Sequence, residues 1–256
     1  SGAGITEYRI DDEGYRQFTG PFSLPDEGRH TIRYKGLNGP YGYKIERAFT
    51  LTIDTTPPQV MLAISGKSLE LGTSVYVSDT SQIILASSDN ISGVSSTLYK
   101  VNDGFWNNYA GQFKLTKDGK NTITYYSTDN SSNVSQEQTF TVFVDTQPPQ
   151  TNVSVTPSYW TETTIWINAN SSFTLTTKDN GEIPSGVAGV EYKVDIYAWK
   201  PYTEPFNISA YGPEKHSVFY RSTDKFANKE EPKGIVVTQD NIPPETTVVP
   251  DKQLYS

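Results

Sequence analysis

The chain contains no cysteine in its 256 residues, and methionine occurs once. Without thiols there is no disulfide framework, no cysteine nucleophile and no cysteine-ligated zinc, so stability must come from packing, helped at most by ions. Histidine occurs only twice. No Gly-rich phosphate loop, nucleophile elbow or His-rich metal motif is present. No run approaches the roughly 18 consecutive apolar residues that a membrane helix needs, and the first residues lack a charged-then-apolar signal pattern. This predicts a soluble chain with no membrane span, any signal or anchor lying outside it. Basic clusters are absent too. With a formal net charge of -8, the scattered Lys and Arg residues argue against a nucleic-acid partner. No segment has a helical apolar period.

What is abundant points the other way. Thr, Ser, Asn and Tyr are frequent, and Val, Ile and Thr outweigh Leu, a mix that favours strands. The length allows two to three domains of ordinary size. Internal repetition then sets their arrangement. Asp54-Thr55-Thr56-Pro57-Pro58, Asp145-Thr146-Gln147-Pro148-Pro149 and Asp240-Asn241-Ile242-Pro243-Pro244 are three copies of one junction. The text between them aligns as well. Ser92-Gly93-Val94 leading to Tyr99 matches Ser185-Gly186-Val187 leading to Tyr192, and Ser1-Gly2-Ala3 leading to Tyr8. Aromatic pairs four residues apart follow at Phe18 and Phe22, Tyr109 and Phe113, and Tyr202 and Phe206.

A unit near 90 residues is sandwich-sized and far longer than a solenoid repeat. In the middle copy, seven segments read as strands: 60–64, 75–77, 83–86, 98–101, 113–115, 122–126 and 139–144, with Asp/Asn/Gly turns between them. The fold class is therefore all-β, as tandem immunoglobulin-like or fibronectin III-like β-sandwich domains. The expected boundaries are 1–54 (the latter part of a repeat), 55–145 and 146–240 (complete repeats), and 241–256 (the start of a following repeat or a tail). Paired prolines stop the strand ladder and hold the exit extended, so the expected arrangement is a rod excerpted from a longer array.

These motifs, together with Arg29-His30-Thr31-Ile32-Arg33-Tyr34 and Ser222-Thr223-Asp224 followed by Asn228, resemble bacterial immunoglobulin-like or fibronectin-like repeats. The likeness is to those of leptospiral outer-surface proteins and to accessory domains of secreted glycosidases and surface-layer proteins. The resemblance implies a bacterial extracellular or cell-surface protein that is not an enzyme and requires no cofactor. Its repeats would act as spacers or adhesive contacts to protein, extracellular matrix, glycan or neighbouring copies. The alternative is an accessory carbohydrate-binding region of a glycan-active enzyme. The first copy departs from the pattern, with Asn38 and Gly42 where later copies carry Asp and Asn.

Candidate chemistry is sparse. His30 and His216 share a repeat position that Asn121 fills in the middle copy, a substitution no general base would survive. Asp11-Asp12-Glu13 and Glu230-Glu231 read as solvated loop charge rather than a glycosidase pair. The oxygen-rich turns are better candidates. Asp89, Asn90, Asp129 and Asn133 in one repeat, and Asp179, Asn180, Asp224 and Asn228 in the next, offer the hard donors that Ca²⁺ takes. The same residues also cap turns without an ion. Tyr159 and Trp160 are particular to the third copy and could stack on a sugar or anchor a protein, or else pack in a core. Sequons at Asn90, Asn130, Asn133, Asn152, Asn170 and Asn207 would matter in a glycosylating host.

Overall fold

The structure, a computed structural model, describes residues 6–24, 26–38 and 43–247. The Ser1-Gly2-Ala3 turn, Gly42 and the residues from 248 onward lie outside the described residues, as does the Asn38 side chain. Every regular element described is a strand apart from a single 3₁₀ turn at Ser209–Tyr211.

The first copy forms one four-stranded sheet from β1 (Thr6–Ile10), β2 (Arg16–Gln17), β3 (Gly28–Asn38) and β4 (Tyr43–Ile53), in the order β2-β1-β3-β4. The second contributes β5 (Gln59–Ser65), β6 (Ser68–Leu71), β7 (Ser74–Val77), β8 (Gln82–Ser88), β9 (Val94–Val101), β10 (Asn107–Asn108), β11 (Gly119–Asp129) and β12 (Gln138–Val144). Here β5 and β8 pair as one sheet, and β10-β9-β11-β12-β7-β6 form the other. The third repeats that plan with β13 (Gln150–Thr156), β14 (Tyr159–Trp160), β15 (Ile165–Ile167), β16 (Ser172–Lys178), β17 (Val187–Val194), β18 (Lys200–Pro201), β19 (Lys215–Asp224) and β20 (Lys233–Gln239). Its sheets are β13-β16 and β14-β15-β20-β19-β17-β18.

The chain divides into two compact units. One comprises Ser1–Val75, Thr80–Leu115 and Asn121–Val142, and the other Tyr76–Asp79, Thr116–Lys120 and Phe143–Ser256. In the first, Val60 and Ile83 from the two-stranded sheet are buried, as are Leu115, Ile123 and Val142. In the second, Val155 and Phe173 from β13 and β16 meet Ile167, Val194, Val218 and Val237 from the six-stranded sheet, with Ile208 closing one end. Two sheets burying one face each against the other make a β-sandwich.

Period-2 patterning produces this directly. Along β11, burial alternates residue by residue, sending Asn121, Ile123, Tyr125, Ser127 and Asp129 inward. The recurring aromatic pair packs with the tyrosine of the neighbouring strand in each copy and brackets it in the first two. Tyr8 stacks on Phe22 with Phe18 at its edge and Tyr99 on Phe113 with Tyr109 at its edge, while in the third copy Tyr192 stacks on Phe206 and Tyr202 meets the edge of Phe206 instead. This bracketing accounts for one departure from the expected strands. Residues 113–115 form only a single bridge, Ile83 to Phe113, because Phe113 is held by Tyr99 and Leu115 turns into the core. The second proline of the first two pairs, Pro58 and Pro149, is buried immediately before β5 and β13, whereas Pro244 of the third is exposed.

Phe173 is fully enclosed and stacks on Phe206 with centroids 5.2 Å apart. Replacing it with Ala is expected to cost about 3–5 kcal/mol in denaturant titration. Phe105, 92% exposed, should tolerate Ala within about 0.5 kcal/mol.

Candidate metal centre

Two groups of carboxylates converge at equivalent places in the two sandwiches. One oxygen from each of Asp54, Asp89 and Asp129 lies within 4.8 Å of one from each of the others, and Asp145, Asp179 and Asp224 repeat the arrangement. Three chain elements meet there. Asp89 and Asp179 sit in the turn after the second strand of the smaller sheet, where they accept from the amides of Gly93 (2.8 Å) and Gly186 (2.6 Å). Those glycines have φ of 80° and 98°, a backbone region that side chains with a Cβ resist, so the Ser-Gly turn is a requirement of this contact. Asp129 and Asp224 end the long central strand. Asp129 Oδ1 accepts the amides of Ser131 and Asn133, and Asp224 Oδ1 those of Phe226 and Asn228, all at 2.8 Å.

The third member of each triad comes from the junction motif. Asp54 accepts from the amides of Thr56 and Ser92, and Asp145 from those of Gln147 and Ser185. Sequence reasoning passed over both residues, reading the Asp that opens each Pro-Pro junction as the end of a domain. Its recurrence at Asp54, Asp145 and Asp240 was the available signal.

The asparagines divide differently. Asn133 and Asn228 act as donors. Each Nδ2 bonds the carboxylate of its own corner, at 2.8 and 2.7 Å, and the backbone carbonyl of Asp54 or Asp145, at 2.9 and 3.0 Å. They clamp the linker to the corner. Asn90 is exposed and Asn180 half-buried on the turn beside the triads.

The electrostatics are unbalanced. Among the described residues, the donors to these six carboxylates are neutral, amides above all with the Ser92 side chain against Asp54, and no Lys, Arg or His forms an ion pair with any of them. Burial, followed by the nearby charges of Asp145 and Asp224, pushes the Asp179 carboxyl upward against the Gly186 amide. Asp54 is shifted downward by Ser92, which lies against it, and by the amide of Thr56.

The histidines belong to a different corner. Asp11, Asn102 and Asp195 all have φ of 50–54°, and their side chains accept the amides of Thr31, Thr122 and Ser217. His30 and His216 each hold the corner carboxylate through Nδ1 at 2.8 Å and a backbone carbonyl through Nε2 at 3.0 Å. Asn121 replaces them, bonded to Asn102. For His216, burial opposes protonation, yet Asp195 and the Gly212 carbonyl outweigh it and raise the pKa.

Tyr159 and Trp160 are exposed on β14. Adjacent strand residues face opposite sides, so the residue that joins Tyr159 is Trp166, its cross-strand partner. Together with Pro157, Ser158, Asn168 and Asp240 they line an open cleft of about 360 Å³. Trp160 donates its Nε1-H to Ser158 Oγ. Trp106 and Trp199 instead lie under cations, Lys100 and Arg221, as Tyr15 lies under Lys35.

No protein-family model matches the chain, and no curated protein matches it in sequence. Among solved structures it is similar to the fibronectin(III)-like modules of Clostridium thermocellum CbhA, with 12% identity, 74% of this chain and 100% of that one covered, and a TM-score of 0.33. It is also similar to a structure bearing on host cell surface retention of a 1.5-MDa bacterial ice-binding adhesin. There the identity is 14%, with 93% of this chain and 87% of that one covered, at a TM-score of 0.39.

Two outcomes follow for these corners. Because the His216 pKa is raised on folding, its contribution is complete below the unfolded value of about 6.5 and is lost as pH rises through the folded value. The unfolding midpoint should therefore fall on the alkaline side of pH 6.5, and His216→Asn should flatten that limb. Asn228→Ala removes both clamp bonds and should cost about 1.5–3 kcal/mol in denaturant unfolding, since one acceptor is a buried carboxylate.

Proposed function

We propose that this chain is a non-catalytic structural and adhesive segment of a secreted or cell-surface bacterial protein, built from repeats of the leptospiral outer-surface type with boundaries near residues 54, 145 and 240. One observation carries this reading. The triads, the Asn clamps and the His or Asn corners recur at equivalent positions in successive repeats, and most of their hydrogen bonds go to backbone groups of the turns and strands they hold. Groups spent on holding turns are not poised to transfer protons to a substrate. What differs between repeats is the exposed surface, which is where a contact with protein or matrix would lie.

A second reading, an accessory glycan-binding role, is favoured by the Tyr159–Trp166 cleft. Two aromatics beside the polar Asn168 and Asp240 are suited to a sugar, whose apolar face stacks while its hydroxyls find hydrogen-bond partners. Immobilised extracellular-matrix proteins and a glycan panel separate the two. The adhesive reading expects saturable protein binding that survives Tyr159→Ala and Trp166→Ala. Glycan binding abolished by those substitutions, with no matrix binding, would favour the second reading, and no binding on either panel would leave a spacer alone.

A further inference from the structure

We propose that each aspartate triad is a calcium site, completed by the aspartate that the Asp-Thr-x-Pro-Pro linker delivers. The inference rests on the structural role proposed above and gives it a regulator, extracellular Ca²⁺.

Three carboxylates, with one oxygen of each within 4.8 Å of the others, carry three formal negative charges, and among the described residues their hydrogen-bond donors are all neutral. A second observation points to a missing positive partner. Asp89 Oδ1 and Asp179 Oδ1 are shielded from solvent and accept no hydrogen bond, although the other oxygen of each carboxylate is well held. Ser185 is 1% exposed and gives its amide to Asp145 Oδ2 at 2.7 Å, yet its hydroxyl has no partner. Buried oxygens left in this way are costly, and most costly when charged. A cation among the three carboxylates would satisfy the orphan oxygens and offset the mutual repulsion in one step.

The donor set selects the ion. The candidate ligands are all oxygens, from carboxylates and a hydroxyl, with no imidazole or thiol among them. This is a hard-cation set, and Ca²⁺ accepts six to eight such oxygens in irregular geometry where Mg²⁺ demands a near-ideal octahedron. The two sites differ in one respect. Lys225 Nζ lies beside Gly186 at the second triad, where a Cβ on that glycine would meet it at 3.3 Å, while Asn130 holds the equivalent place at the first. The nearby ammonium opposes a cation, so the first site should bind more tightly.

The competing account is that the triad shares a proton, which would relieve the same repulsion without metal. Titration calorimetry of the whole chain after chelator treatment distinguishes the two. The proposal expects about two Ca²⁺ per chain. Calcium at 100-fold excess over its dissociation constant should raise the unfolding midpoint by roughly 5–10 °C, and chelation should reverse the rise. Asp54→Asn and Asp145→Asn, which keep an acceptor for one of the two amides that each carboxylate holds, should each remove one site, and the double variant both. Mg²⁺ at the same concentration should shift the midpoint far less. No calcium heat and an unchanged midpoint at millimolar Ca²⁺ would overturn the proposal, as would binding that persists in the double variant. A chelated chain stabilised only by acidification would establish the shared proton instead. Repeating the matrix and glycan panels with calcium and with chelator keeps the inferences separable, since ion binding without adhesion would sink only the adhesive reading.

Discussion

Each complete repeat depends on the corner where its longest strand ends in a buried aspartate. Asp129 and Asp224 are each 2% exposed, and each accepts three hydrogen bonds from the loop that follows. Without that carboxylate, two backbone amides and one side-chain amide would lose their acceptor, a cost that grows with the burial of the corner. With it, the loop closes and Asn133 or Asn228 points at the carbonyl of the incoming linker. The corner thus links the end of one repeat's text to the body of the next.

Around that corner the load is carried by packing. A chain lacking disulfides buries aliphatic side chains between a two-stranded and a six-stranded sheet, and pins one side with a tyrosine stacked on a phenylalanine that a second aromatic accompanies. The outer face follows another rule. There Tyr15, Trp106 and Trp199 lie beneath Lys or Arg, so the rings are covered by cations that themselves remain near water.

The architecture was readable because sandwich strands announce themselves twice, by period-2 alternation and by recurrence. Where the two signals disagreed, reading by pattern failed. Residues 113–115 look like a strand, but Phe113 is committed to Tyr99. The candidate site was half legible. Asp89, Asp129, Asp179 and Asp224 were visible as turn acids, whereas Asp54 and Asp145 lie 35 and 34 residues earlier and are brought in only by the return of the linker onto the next repeat. Distance along the chain hides such a contact. Likewise, pairing Tyr159 with Trp160 followed adjacency in sequence, while the pleat places Tyr159 beside Trp166.

The six-stranded sheets each end, on one side, in a strand of two residues, β10 and β18, and the four-stranded sheet likewise ends in β2. Successive repeats that share motifs and are tethered in one chain encounter each other at high effective concentration while they fold, and long free edges would invite them to exchange strands. A two-residue edge offers too few hydrogen bonds to hold a stranger. The same brevity that makes these strands minor in the native sheets leaves these three edges little with which to capture a strand of another copy.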